Sequence, residues 1–167
     1  MPLSMYQASV PVFTRALGNL SKILDKGAAF AAARNIDPSV LINALLAPDM
    51  LPMARQVQIA ADMALRGSAR LAGAEVTSVP DTETSFAELQ ERIAKTLKLI
   101  EAFGADRIDG SETRQIALTV GGKDWSFSGQ DYLFNFVLPN LFFHSTATYL
   151  ILRHNGVELG KMDFLGA

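Results

Sequence analysis

A histidine stands in the middle of an apolar run near the end of the chain, with polar residues at helical spacing on either side. In NLFFHSTATYLILRHNG, residues 140–156, the polar residues Asn140, His144 and Thr148 recur every four positions. On a helix this spacing places the three side chains one turn apart on one stripe. Because ligand and metal sites of helical bundles are built from inward-facing polar side chains, the pattern predicts a small polar pocket centred on His144.

These three residues, which we call the polar ladder (Asn140, His144 and Thr148), also have a purely structural interpretation. A core histidine can simply bond a carbonyl or hydroxyl group, and Thr148 can donate to a carbonyl of its own helix. The ladder would then only fix helix register, or its face would be exposed or lie at a subunit interface. The residues alone leave these alternatives open.

Metal binding requires more ligands than the sequence offers. The chain has no cysteine and two histidines. His144 and His154 lie about 15 Å apart along a helix, so they cannot share an ion. His154 suits the end of a helix, where a cation is favoured. Oxygen ligands would have to come from another helix, such as Asp62 or Gln58, and one histidine with one carboxylate binds zinc weakly. We therefore expect no cofactor, with a divalent ion such as Zn or Ni as the weaker alternative.

Gln58 and Asp62 are the two residues of a second helix that are candidates for the same pocket. They lie between Arg55 and Arg66, a pattern that favours a solvated polar face. The chain contains no G-x-S-x-G, no glycine-rich phosphate loop and no H-E-x-x-H. No reaction is predicted, and whether the protein is an enzyme stays open.

Composition limits the classes of protein and partner. The chain of 167 residues fits one domain, 1–167, with 49% hydrophobic residues and a net charge of −2. Its basic residues form no run, so no nucleic-acid partner is expected. The N-terminus lacks the pattern of a signal peptide, so a cytoplasmic location is expected. Residues 132–152 carry no formal charge, but their polar side chains favour a core helix over a membrane span.

Apolar residues at alternating intervals of three and four predict four long helices. The first runs from Leu3, with a kink or restart near Ser9, because Pro11 lacks the N–H that would bond the carbonyl of Gln7. The polar segment GAEVTSVPDTETS, residues 73–85, predicts a long crossover connection between the second and third helices. Capping signals give the remaining boundaries. A short helix is predicted from Asp37-Pro38 through Leu46, and the second and third long helices begin after Pro52 and at the Ser85–Glu88 capping box. The fourth long helix begins near Ser128, with a kink at Pro139 and an end at Asn155-Gly156.

In QIALTVGGKDWSF, residues 115–127, the Gly-Gly pair predicts a two-residue hairpin turn. This turn pairs Val120 with Lys123, Leu118 with Trp125 and Ile116 with Phe127, and it gathers the large apolar residues on one face. That face, including Trp125 and Phe127, is expected to pack on the helices or on a partner subunit. The elements together predict an all-α four-helix bundle with a long crossover and a small hairpin before the last helix.

Three segments resemble an uncharacterised bacterial family, a domain of unknown function, of the DinB/YfiT-like superfamily. They are SVPVFTRALGNLSKIL (9–24), PMARQVQIAADMA (52–64) and LFFHSTATYLILRHNGVELGKMDFLG (141–166). The resemblance implies a DinB-like bundle that is commonly dimeric. Enzymes of the superfamily, including metal-dependent thiol transferases, hold a divalent ion with one histidine on the second helix and an H-x-x-x-H pair on the fourth.

The chain departs from that ligand set. His144 stands at the first position of the pair, but Thr148 stands at the second, and the second helix has only Gln56, Gln58 and Asp62 in the neighbourhood. We therefore expect a homodimer with a degenerate, non-metal site that binds a small molecule near His144. The alternatives are a metal-dependent transferase or hydrolase that uses His144 and oxygen ligands, and a structural protein whose hairpin face and polar ladder serve dimerisation alone.

Overall fold

Long helices dominate the computed structural model, which describes residues 3–166. Four of them form the bundle, and a two-stranded antiparallel hairpin precedes the last one. The elements in chain order are α1 (Val10–Ala33), α2 (Pro38–Ile42), α3 (Met53–Leu71), α4 (Phe86–Ile100), α5 (Ala105–Ile108), β1 (Ile116–Val120), β2 (Lys123–Phe127), α6 (Gly129–Tyr132), a π-helical segment (Leu133–Val137), α7 (Leu138–His154) and α8 (Lys161–Leu165).

The long helices run up, down, down and up. Gly27, late in α1, lies against Leu152 at the end of α7 and Phe86 at the start of α4. At the opposite end of the bundle, Gly67 of α3 lies against Val137. Because α3 and α4 point the same way, the connection 72–85 must return along the bundle, which confirms the predicted crossover and the four-helix fold.

Capping residues set several helix boundaries as the sequence predicted. The Asp37 carboxylate accepts from the Ser39 N–H at 2.9 Å, and Ser85 forms the capping box with Glu88. The first long helix begins at Val10 after Ser9 and is not continuous from Leu3, which confirms the predicted restart near Ser9, because Pro11 fits the first turn of a helix but not its interior. The short helix also ends earlier than predicted, at Ile42.

The predicted fourth long helix is one continuous rod with an irregular beginning. Its segment Leu133–Val137 is π-helical, and this wider turn lies just before Pro139, which has no N–H for the carbonyl of Asn135. The helix stops at Gly156, whose φ of 97° is the left-handed conformation predicted for that end.

The hairpin has the predicted register, with Ile116 opposite Phe127 and Leu118 opposite Trp125. The apolar face does not pack on the helices at its tip, since Trp125 is 47% exposed, and the alternative that a partner subunit covers this part stays a prediction. Only the base of the hairpin reaches the helices, where the Phe127 ring lies 6.0 Å from that of Tyr132. The turn end of the hairpin therefore lies outside the bundle.

Helix α7 is apolar on its outer face as well as on its inner one. Leu141 and Ile151 are fully buried against the other helices, while Phe142, Phe143 and Leu150 face outward and are exposed. Within residues 3–166, no helix combines the length and the hydropathy needed to cross a membrane.

Candidate functional site

His144 lies half-buried on α7 and faces α3. Its Nδ1 atom is 2.6 Å from Oε1 of Gln56, a side chain that is 1% exposed. The ring also meets the ring of Phe143 edge to face, with centroids 5.1 Å apart. The contact between α3 and α7 thus fixes the imidazole from one side through Gln56.

The hydrogen bonds around Gln56 decide which ring nitrogen of His144 carries the proton. The Gln56 Nε2 group donates to the carbonyl of Leu51 at 3.0 Å, so the amide oxygen must be the atom that faces the ring. An amide oxygen only accepts, and His144 Nδ1 is therefore the donor. In the neutral ring the Nε2 atom then keeps its lone pair. Nε2 has no partner within residues 3–166 and is not a buried atom, so it opens to solvent.

Burial keeps this ring neutral at physiological pH. Desolvation lowers the pKa of His144 below its ordinary value of 6.5, and the positive charge of Arg55 lowers it further. The neutral tautomer offers Nε2 as a hydrogen-bond acceptor or as a base, and both uses need an unprotonated nitrogen.

Asn140 and Thr148, the other two residues of the ladder, bond within their own helix. Asn140 Nδ2 donates to the carbonyl of Phe136 at 2.7 Å, and the fully buried Thr148 hydroxyl donates to the carbonyl of His144 at 3.0 Å. These are the local bonds of the structural interpretation. The polar side-chain atoms of the ladder without a partner within residues 3–166 are thus His144 Nε2 and the amide oxygen of Asn140, and of these only His144 Nε2 can act as a base.

Gln58 and Asp62 lie on another face of α3, away from His144. The Asp62 carboxylate accepts from Arg92 of α4 at 2.7 Å and from Arg66 at 2.9 Å. Gln58 is buried, and its amide donates to Glu83 at 2.9 Å. The interpretation of these residues as a solvated face is wrong, because α4 and the crossover connection cover them.

Arg92 is the centre of this second cluster, which we call the arginine cluster (Asp62, Asp81, Glu83 and Arg92). Its side chain is 1% exposed and pairs with all three carboxylates at 2.7–2.9 Å, and it also donates to the carbonyl of Pro80 at 3.0 Å. Burial would lower the pKa of Arg92, but the hydrogen bond to Glu83 and the charge of Asp62 outweigh it and raise that pKa. The cluster fastens the crossover connection to α3 and α4.

Three cavities accompany these side chains, and none of them is lined by His144, Asn140, Thr148, Gln58 or Asp62. The largest, about 490 Å³, lies between α1, α7 and α8. Another, of about 320 Å³, is a groove on the outer face of α7. The predicted pocket residues thus line none of these three cavities, and His144 lies half-buried at the contact between α3 and α7.

Two residues organise these clusters, and the sequence analysis named Gln56 only as a neighbour of the expected ligand position and did not single out Arg92. Both carried a signal: Gln56 follows Met53 by three positions and Arg92 follows Leu89 by three, which places each polar side chain beside the apolar stripe of its helix. A long polar side chain at such a position needs a buried partner. The sequence does not show which partner it meets.

The donor set does not fit the divalent ion held by DinB-like enzymes. The Thr148 hydroxyl donates to a backbone carbonyl, and Asp62 is paired with two arginines. Gln56 is hydrogen-bonded to Nδ1 of His144 and not to the free Nε2 atom. In the described part of the chain, no group of three or more His, Asp or Glu side chains is arranged to hold a metal ion.

Comparison with known proteins agrees with the resemblance seen in the sequence. The family model described as "Domain of unknown function (DUF1993)" matches residues 5–165. The crystal structure of a DinB family member from Shewanella denitrificans is 41% identical, with a TM-score of 0.87, over 97% of this chain and 92% of that one. No curated protein matches the chain. The chain therefore belongs to the DUF1993 family, a DinB-like family of unknown function.

Proposed function

We propose that the protein is a DinB-like binding protein that holds a small polar molecule at His144 and acts as a homodimer. The observation that carries the first part is the hydrogen-bond chain from the Leu51 carbonyl through Gln56 to His144 Nδ1. Such a chain fixes the tautomer and aims the lone pair of Nε2 outward. The ligand must then supply an N–H or O–H donor, as an amide, amine or alcohol does.

The site favours binding over a metal-free reaction, because it contains one activated group. A nucleophile with a base, or an acid with a base, needs two groups within hydrogen-bond reach of one reacting atom. The Thr148 hydroxyl is engaged with a backbone carbonyl, the free oxygen of Asn140 belongs to a neutral amide that is neither an acid nor a base, and the carboxylate of Asp62 is held by arginines. A ligand at Nε2 would therefore be positioned without a second catalytic side chain.

A thermal-shift screen of small amides, amines and alcohols tests the binding proposal. Compounds that stabilise the native protein are then measured against His144→Ala and, as a matched control, against His154→Ala at the exposed end of α7. We expect the stabilisation to disappear in His144→Ala, to persist in His154→Ala, and both variants to keep the native oligomeric state. Equal shifts in the two variants would remove His144 from the site.

The homodimer is proposed from the outer face of α7. Phe143 is 57% exposed, and Phe142 and Leu150 are exposed beside it, on a helix without a formal charge before Arg153. Large apolar side chains that stand exposed side by side on an uncharged helix face are normally covered by a partner. A second copy of the same uncharged face satisfies this condition through a two-fold axis, because the contact is then self-complementary.

Sedimentation analysis of Phe143→Glu and Trp125→Ala distinguishes two dimer surfaces. A buried charge in the interface is costly, so Phe143→Glu should yield monomers while Trp125→Ala stays dimeric. The opposite result would place the interface on the hairpin, the surface that the structural hypothesis favours. A monomeric native protein would reject both surfaces.

The metal-dependent alternative predicts a different analytical result. An exposed imidazole lone pair can also ligate an ion, but one nitrogen without further donors binds it weakly. Elemental analysis of tag-free protein purified without chelator should therefore give Zn, Ni, Mn and Fe far below one per dimer. A near-stoichiometric metal that is lost in His144→Ala would favour a transferase or hydrolase.

A further inference from the structure

The cleft between α1, α7 and α8 has a mostly apolar lining and lies on another side of α7 from the His144 contact with α3. Its walls include Leu20 and Ile23 of α1, Phe142 of α7 and Phe164 of α8, and its volume is about 490 Å³. This is within the range of about 300–1,000 Å³ that small-molecule sites occupy. The cleft therefore has the size and the walls of a site for an apolar molecule.

One buried polar atom in the wall of the cleft has no hydrogen-bond partner within residues 3–166. Ser145 lines it, is 3% exposed, and its Oγ atom makes no hydrogen bond within residues 3–166. Two neighbouring polar side chains each use one donor nitrogen on a backbone carbonyl: Asn19 Nδ2 donates to the carbonyl of Phe164 at 3.0 Å, and Arg15 donates to that of Leu165 at 2.9 Å. Since a buried hydroxyl without a partner costs free energy, Ser145 marks the place where a ligand atom would be bound.

We propose that this cleft binds a small, mostly apolar molecule with a single oxygen acceptor, such as a ketone or an ester, whose oxygen accepts from the Ser145 hydroxyl. Leu20, Ile23 and Phe142 would cover the apolar body, which gains from leaving water. Because Arg15 and Asn19 tie the end of the chain to α1, the C-terminal segment forms one wall of this site.

An NMR titration of the whole protein with 2-octanone tests the proposal. A ketone has no donor, so it cannot use the acceptor nitrogen of His144, and the two proposed sites are probed separately. We expect shift changes at Ala16, Leu20, Ser145 and Phe164. Ser145→Ala should weaken binding about two- to tenfold, the value of one neutral hydrogen bond.

Two further variants make the result specific. Ser111 is also a buried serine without a partner, but it lines none of the three cavities, so Ser111→Ala should bind 2-octanone like the native protein. Ala16 is a partly exposed wall residue of the cleft, and Ala16→Phe should fill the space and abolish binding.

Several results would overturn the proposal. They are no shift changes at saturating 2-octanone, changes that map away from the cleft, or equal affinities for Ser145→Ala and Ser111→Ala. Loss of the dimer in Ala16→Phe would show that a second copy occupies the cleft. If Ala16→Phe fails to fold, the comparison of the two serine variants decides alone.

Discussion

Two polar clusters meet at helix α3, and they differ in whether they are closed. On one face, Arg92 is buried and its charge is neutralised by Asp62, Asp81 and Glu83. On another, Gln56 holds one nitrogen of a half-buried, neutral His144 and leaves the other open. The ion pairs of Arg92 position the crossover connection, although its Nε atom has no partner within residues 3–166, whereas the uncharged Nε2 atom of His144 can accept from a ligand. Buried polarity in this bundle therefore has two uses, and charge pairing separates them.

Removal of Arg92 should have the largest effect on the free energy of unfolding. Arg92→Met leaves the carboxylates of Asp62 and Glu83 without their buried partner, and loss of one partner of a buried pair costs about 3–5 kcal/mol. Urea denaturation measures the free energy of unfolding. Arg66→Met is the matched control, because Arg66 pairs with the same Asp62 but is 35% exposed, so its loss should cost less than about 1 kcal/mol. Similar values for the two variants would contradict the closed cluster.

Removal of Gln56 should affect both the stability of the protein and the tautomer of His144. Gln56→Leu leaves the Leu51 carbonyl and His144 Nδ1 without partners, so unfolding free energy should fall by about 1–3 kcal/mol. The imidazole should also lose its fixed tautomer, which nitrogen NMR detects. A ring that keeps the same tautomer in Gln56→Leu would show that another group orients it.

Thr148 should matter less than Gln56, because its hydroxyl bonds within its own helix. Thr148→Val removes one local hydrogen bond, worth about 0.5–1.5 kcal/mol. Compounds that bind at His144 should keep their affinity in this variant. A tenfold loss of affinity would return Thr148 to the binding site.

The smallest expected effect is a pH dependence that belongs to His144. Its pKa in the folded protein is lowered from 6.5 by burial and by Arg55. As the pH falls below about 6.5, the unfolded chain therefore binds more protons at His144 than the folded protein does. The contribution to stability is complete above about 6.5 and is lost as pH falls toward the folded pKa. Melting temperatures from about pH 7 to 5 should therefore drop more steeply for the native protein than for His144→Gln. Parallel curves would mean that burial does not perturb the ring.

The sequence predicted the frame of the molecule well because local signals fix it. The Ser85–Glu88 capping box, the Gly-Gly turn and Pro11 each act through nearby backbone geometry. The π-helical segment could not be predicted, because it depends on how the turn before Pro139 packs against the bundle.

The candidate site was predicted less completely because its partners come from distant segments. His144 was found from its place on an apolar stripe, but Gln56 lies 88 positions away. Arg92 reaches Asp62 across 30 positions of chain, so Asp62 lies in the arginine cluster and not in the expected pocket, and Gln58 donates to Glu83 of that cluster. Helical spacing shows which face a residue occupies; which helix covers that face follows from the topology.

Nitrogen NMR of the His144 ring at neutral pH determines which ring nitrogen carries the proton, and the proposed binding site depends on this. The proton should reside on Nδ1, with Nε2 unprotonated, and Nε2 should be the nitrogen whose shift changes when a compound from the screen binds. A ring with its proton on Nε2, or a charged ring, would contradict the account, because the open nitrogen would then be a donor.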